Sequence, residues 1–283
     1  MYAVTGASGQ LGRLVIEELL GRVAPERIVA LVRDPARVAD FAERGVIVRA
    51  FDYADPATLA PALQGVQRLL LISSSEVGQR EAQHQAVVDA AKAAAVSAIA
   101  YTSILRADTN PFGLAVEHRA TEAAIKASGL RYALLRNGWY TENYTMNARP
   151  AVEHGAVIGS TGEGRISAAA RADYAAAAAA VLVNVDIVDQ VYELAGDQSF
   201  TLGEYAAALA AASGKPVAYV HMSEQVFRET LEGMGLPSPL AAMLADSSAK
   251  AADGPLFDDS HTLSGLIGRP TTPLADVVAK ALA

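Results

Sequence analysis

Three glycines stand at intervals of three in Gly6-Ala7-Ser8-Gly9-Gln10-Leu11-Gly12. Spacing of this kind suits a chain that turns sharply, lets its backbone approach a pyrophosphate, and packs the following helix tightly on a sheet. The free N–H groups and positive dipole end of such a helix then face the anion. A glycine triplet alone is weak evidence, because glycines in a strand–helix turn are often only structural. Here an apolar run, Tyr2–Thr5, comes before it and a helical pattern from Leu11 follows, which is the context a dinucleotide site requires.

The end of the next apolar run carries the second clue. Sites that prefer NADH place an acidic residue about 20 positions after the glycine turn, to hold the ribose hydroxyls. This chain reads Val32-Arg33-Asp34-Pro35. The planar cation of Arg33 suits a 2′-phosphate, so the expected cofactor is NADPH; the alternative is a solvated arginine in a turn. Ligands gather beyond the carboxyl ends of parallel strands, which selects three further spots. Asp52-Tyr53 is placed to meet an adenine, Ser73-Ser74-Ser75 to admit the nicotinamide-side ribose and phosphate, and Thr102-Ser103 to lie beside the nicotinamide. The serines serve equally well as turn formers or helix caps.

The elements that must position these residues alternate. Tyr2–Thr5, Arg27–Val32, Val46–Ala50, Arg68–Ile72, Ala98–Thr102 and Tyr132–Leu135 read as short strands covered on both faces. Helical patterns over Leu11–Leu20, Pro35–Arg44, Pro56–Leu63, Arg80–Ala94 and Leu114–Ser128 separate them. The expected fold is therefore α/β, a doubly wound parallel-sheet Rossmann fold. Residues 1–145 read as the NADPH-binding domain and 146–283 as a smaller C-terminal α/β substrate lobe. A segment at about 185–196, with a strand over Val191–Leu194, is expected to return to the sheet. In the lobe, Thr201 and Glu204 form a capping box with Phe200 and Tyr205 as its hydrophobic staple, and the helix stops at Gly214.

Composition excludes several classes. The chain of 283 residues is 52% hydrophobic and 19% charged, enough for a sizeable core. Its net charge of −8 repels phosphate backbones, so no nucleic-acid partner is expected. With no cysteine there are no disulfides, thiolate nucleophiles or zinc–cysteine sites, which fits a reducing cytoplasm. No metal site is expected, since the five histidines lack ligand spacing. No basic n-region and h-region open the chain. The alanine-rich stretch from Asp173 to Val185 is too short to span a bilayer. A homodimer is compatible with all of this.

The chain up to this point resembles the short-chain dehydrogenase/reductase family in its extended or atypical branch, yet that family's Tyr-x-x-x-Lys pair is absent. Lys92, Lys126, Lys215, Lys250 and Lys280 have Val, Glu, Ala, Asp and Asp four positions earlier. On the helix after the fifth strand, His118 and Glu122 fall one turn apart instead. A glutamate cannot depress a tyrosine pKa or hold a ribose as a cation does, so alcohol and ketone chemistry is disfavoured, as is a sugar-nucleotide epimerase.

Longer segments carry a closer resemblance. Val4–Gly12, Leu70–Arg80 with its serine run, Leu135-Arg136-Asn137-Gly138-Trp139-Tyr140, Arg171-Ala172-Asp173-Tyr174 and Leu266-Ile267-Gly268-Arg269-Pro270 are similar to the NmrA-like group, and within it to the bacterial type 2 NADPH:quinone oxidoreductases. The likeness covers nearly the full length. It implies two-electron reduction of a quinone by NADPH. It also implies cofactor contacts at Gly6, Ala7, Ser8, Gly9, Gln10, Leu11, Arg33, Ser73, Ser74, Ser75, Asn137, Gly138, Trp139, Tyr140, Thr141, Glu142 and Arg171. A quinone is a strong hydride acceptor, so positioning supplies most of the rate and no dedicated acid is demanded. Tyr140, His118 and Ser103 are candidates to polarise a quinone oxygen, while Trp139, Tyr140 and Phe112 are candidates to sandwich the ring. The structural alternatives are a His118–Glu122 pair on an exposed face, core packing for Trp139 and Tyr140, and an Arg171–Asp173 ion pair. NmrA-like proteins also include non-catalytic NADP(H)-binding redox sensors, which is the competing reading.

Overall fold

Apolar runs three to seven residues long set the strands of the computed structural model, which describes residues 1–184 and 189–283. The strands β1 (Tyr2–Val4), β2 (Ile28–Val32), β3 (Ile47–Ala50), β4 (Arg68–Leu71), β5 (Ala98–Ile104) and β6 (Arg131–Asn137) pair in parallel. With β8 (Gln190–Leu194) they form a seven-stranded sheet of order β3-β2-β1-β4-β5-β6-β8. The order reverses at β1 and β4, so the crevice beyond their carboxyl ends is the switch point at which such sheets bind ligands.

Helices cover both faces, which is why the strands are apolar on consecutive positions. One face packs on α3 (Leu59–Ala62) and α4 (Arg80–Ala93) through Leu59, Leu63, Val87, Val88 and Ala91. The other carries α1 (Gln10–Leu20), against which an alanine-rich helix, Arg171–Val183, packs closely. Small side chains allow that approach, and Asp173 to Leu182 are buried apart from a half-buried Ala180. The pattern expected over Pro35–Arg44 is split. Asp34 caps a 3₁₀ turn, Pro35–Val38, by accepting from Ala36 N–H at 3.0 Å, and α2 (Ala39–Glu43) follows. The fifth helix, α5, spans Gly113–Ala127.

By internal contacts the chain divides into two units. The first comprises Met1–Asp108, Val116–Asn137 and Arg171–Tyr192; the second comprises Thr109–Ala115, Gly138–Ala170 and Glu193–Ala283. Residues 185–188 of the segment expected to return to the sheet lie outside the described residues. In the second unit β7 (Ala156–Gly159) pairs in parallel with β9 (Ala218–His221). The helix Leu202–Ser213 begins with the capping box of Thr201 and Glu204 and ends at Gly214, whose φ of 67° is left-handed. No described helix is long and apolar enough to cross a membrane.

Candidate cofactor and active site

A cleft of about 280 Å³ opens at the switch point in the first unit. Its walls are the glycine turn from Gly6 to Gly12, Arg33 and Arg37 after β2, Asp52 and Tyr53 after β3, and the serine turn Ser73 to Glu76 after β4. Gly6 sits at φ +57°, a left-handed conformation that favours glycine. At Gly12 a Cβ would collide with the Gly6 carbonyl oxygen and stand 2.7 Å from Ala7 Cα. The turn is closed by Gly9 N–H donating to Gly6 C=O at 2.9 Å and Ala7 N–H to Leu31 C=O at 3.2 Å. Gly9, the N-cap of α1, has no side chain to satisfy the first-turn amides, so these donors remain for an anion.

Several observations fit a phosphorylated dinucleotide. Arg33 is largely exposed at the rim and its nearest anion is Glu76, 3.5 Å away. Asp34, the acidic residue beside it, caps the 3₁₀ turn through one carboxylate oxygen. Ser73 Oγ is a buried hydroxyl in a residue that lines the cleft, with Tyr101 the side chain next to it, and is placed to bond a ligand there. Asn137 Oδ1, at the end of β6, is buried and unpaired. Tyr53 turns its hydroxyl inward to Ile72 C=O at 2.7 Å and to Thr5 Oγ1 at 2.5 Å, leaving its ring as the surface it offers to the cleft.

The slot where a Tyr-x-x-x-Lys pair would lie is filled differently. His118 is buried, and its Nδ1 is 2.7 Å from the hydroxyl of Tyr101, a β5 residue that sequence reasoning missed. Burial beside Arg80 lowers the His118 pKa to about 3, so the imidazole is neutral, and burial pushes Tyr101 up to about 12. Glu122 is also buried, so the exposed His118–Glu122 pair considered from spacing is not what forms. Instead Arg136 donates to Glu122 through Nε at 2.9 Å and Nη2 at 2.6 Å, and Ser103 Oγ–H donates to the same carboxylate at 2.6 Å. Ser103 is thus committed to this knot. Arg136 also meets Asp108 at 2.8 Å and holds its carboxyl below the usual range. No local signal joins Tyr101 to His118 or Glu122 to Arg136, because strand register and helix packing create both pairs.

In the second unit, Phe112 and Trp139 lie with ring centroids 5.3 Å apart at 44°. Trp139 and Tyr140 are half-buried, and Tyr140 bridges to Ala169. Thr141 N–H donates to Ala169 C=O at 2.9 Å, Gly138 N–H donates to Leu194 C=O at 2.8 Å, and Glu142 begins a one-turn helix. Arg171 starts the alanine-rich helix of the first unit.

Comparison with known proteins agrees with this geometry. The NAD(P)H-binding family matches residues 6–184. Quinone oxidoreductase 2 of Escherichia coli K12 is 56% identical over 279 residues, covering 99% of this chain and 98% of that protein. The crystal structure of an Escherichia coli NADPH-dependent quinone oxidoreductase complexed with NADPH superposes with a TM-score of 0.98 at 55% identity over the whole of both chains. The triphenylmethane reductase of Citrobacter sp., complexed with NADP(H), gives 0.95 at 36% identity over 99% of this chain and 100% of that one. The chain belongs to the NAD(P)H-binding, NmrA-like family.

Proposed function

We propose that this protein is an NADPH-dependent quinone oxidoreductase. The observation that carries the reading is the switch-point cleft with Arg33 at its rim, in a chain similar over its full length to a quinone oxidoreductase. Bound NADPH supplies a hydride, and a quinone that accepts it with a proton becomes a hydroquinone.

The residues of this chain bind and orient. Amides of Gly6 to Leu11 and the positive end of α1 hold the pyrophosphate. Arg33 exchanges Glu76 for the 2′-phosphate, a stronger charge-assisted partner. Ser73, Ser74, Ser75 and Asn137 fix the nicotinamide side, with Gly138 to Glu142 and Arg171 completing the cofactor contacts. Trp139, half-buried and backed by the fully buried Phe112 ring, and the half-buried Tyr140 are the aromatic residues this reading assigns to the quinone, with the Tyr140 hydroxyl as the group to bond its oxygen. Neither Ser103 nor His118 is a proton source in this scheme. The Ser103 hydroxyl is engaged by Glu122, and His118 is buried, neutral and bonded to Tyr101. Proton delivery from Tyr140 or water suffices, because the hydroquinone anion is a modest base and orientation supplies most of the rate. A cytoplasmic place and a homodimeric state belong to the same reading, checked by fractionation and light scattering.

The test is a steady-state assay of NADPH with a panel of quinones, followed at the nicotinamide absorbance band. Turnover is expected on simple quinones, reduced in Tyr140→Phe. Tight NADPH binding with no turnover on any acceptor would replace the enzyme by the redox sensor.

A further inference from the structure

The serine turn is held by side chains of α4 and α5. Arg80 Nε donates to Ser74 C=O at 2.6 Å, Gln83 Nε2 donates to the Glu76 carboxylate at 2.7 Å, and Glu117 accepts from Gly78 N–H at 2.9 Å. Beneath them lies His84, with no exposed surface. Its Nε2 is 3.0 Å from Ser74 N, and its Nδ1 is 2.9 Å from Thr121 Oγ1.

The proton positions follow from the partners. A backbone N–H only donates, so His84 Nε2 is the acceptor and the proton of the neutral ring sits on Nδ1. Nδ1–H then donates to Thr121 Oγ1, whose own proton goes to Glu117 C=O at 2.9 Å. Every group in this chain of bonds is satisfied in one direction only. Burial and the nearby Arg80 lower the histidine pKa to about 4, which keeps the acceptor lone pair present at neutral pH. A buried N–H without an acceptor is costly, so the Ser74 peptide plane is fixed by this imidazole, and with it the neighbouring Ser73 and Ser75 that line the cleft.

We infer that His84 is a positioning residue for the cofactor: without touching NADPH, it sets the serine turn by accepting the Ser74 N–H, with Thr121 fixing its tautomer. The inference rests on the serine turn being a cofactor wall, as proposed above. It does not rest on the electron acceptor, because its deciding test is binding of NADPH alone.

NADPH is titrated by fluorescence into wild type, His84→Leu, His84→Gln and Thr121→Val, each checked for folding by circular dichroism. Loss of the acceptor in His84→Leu is expected to weaken NADPH about tenfold. His84→Gln, whose amide oxygen reaches for the same N–H, recovers most of that loss, and Thr121→Val weakens NADPH in the same direction. At saturating NADPH, kcat moves much less than KM for NADPH, as expected for lost binding and not lost chemistry. Long-range proton–nitrogen NMR of the wild type is expected to show the Nδ1–H tautomer at His84, a readout of the bond direction that does not depend on any variant folding. A folded His84→Leu with wild-type affinity, or an Nε2–H tautomer in the native protein, overturns the inference.

Discussion

Replacing Gly12 by alanine puts the largest demand on the cofactor turn for the smallest chemical change. The added methyl would collide with the Gly6 carbonyl oxygen and lie 2.7 Å from Ala7 Cα and 2.9 Å from Gly6 C. All three are backbone atoms, so no flexible side chain can swing away and the turn itself must open. Overpacking of this kind costs about 1–3 kcal/mol. If the opened turn is also the one that fails to wrap the phosphates, that energy appears in the cofactor Kd as a loss of roughly five- to 150-fold. The same strain lowers Tm by about 2–12 °C, taking roughly 2–4 °C per kcal/mol for a chain of this size. Gly113→Ala is the control, because a Cβ there meets nothing within 4 Å. Calorimetric titration of NADPH with differential scanning fluorimetry reads both quantities. A Gly12→Ala protein that binds NADPH as the wild type does and melts at the wild-type temperature would refute the assignment of this turn to the phosphates.

Three further outcomes are expected. Arg33→Asp removes charge-assisted bonds of about 1.5–3 kcal/mol to the 2′-phosphate, so KM for NADPH rises by roughly one to two decades while KM for NADH changes little; equal effects on both cofactors would remove the 2′-phosphate from Arg33. Glu122→Gln removes the charge of the carboxylate that the buried Arg136 and Ser103 share and so breaks a buried ion pair, at about 3 kcal/mol, read as a Tm drop of roughly 6–12 °C; an unchanged Tm would show that the knot contributes little. His84 and His118 have folded pKa values of about 4 and about 3, below the ordinary 6.5, so the unfolded chain binds more protons between those limits. Stability is therefore retained above pH 6.5 and falls as pH drops toward 4 and then 3, by about 1.4 kcal/mol per pH unit for each histidine. Urea denaturation at several pH values measures this, and His118→Phe should flatten the slope.

The sheet was legible because most strands are built round a short apolar run, such as Leu69–Leu71 in β4 or Ile28–Val32 in β2, bounded by turn residues. Gly6, Gly9, Gly12 and Arg33 were legible for the same reason: a local motif states a local conformation. Arg37 is part of the cleft wall but follows a proline turn with no motif of its own. The polar interior behind the serine turn left no trace in the sequence. His84 reaches Ser74 because α4 folds back beside the turn, and Tyr101 meets His118 across β5 and α5. The spacing of His118 and Glu122 correctly put both on one helix, yet it could not show that Tyr101 and Arg136 arrive from neighbouring strands to claim them separately. Spacing along a helix gives proximity; tertiary packing decides the partner.

The central claim is tested most directly by stoichiometry without oxygen. Protein, NADPH and a simple quinone are mixed anaerobically, and NADPH consumed is compared with hydroquinone formed by chromatography. The account predicts one hydroquinone for each NADPH oxidised, with the rate lost in Gly12→Ala in step with cofactor binding. NADPH bound in the cleft with no hydroquinone formed would contradict it.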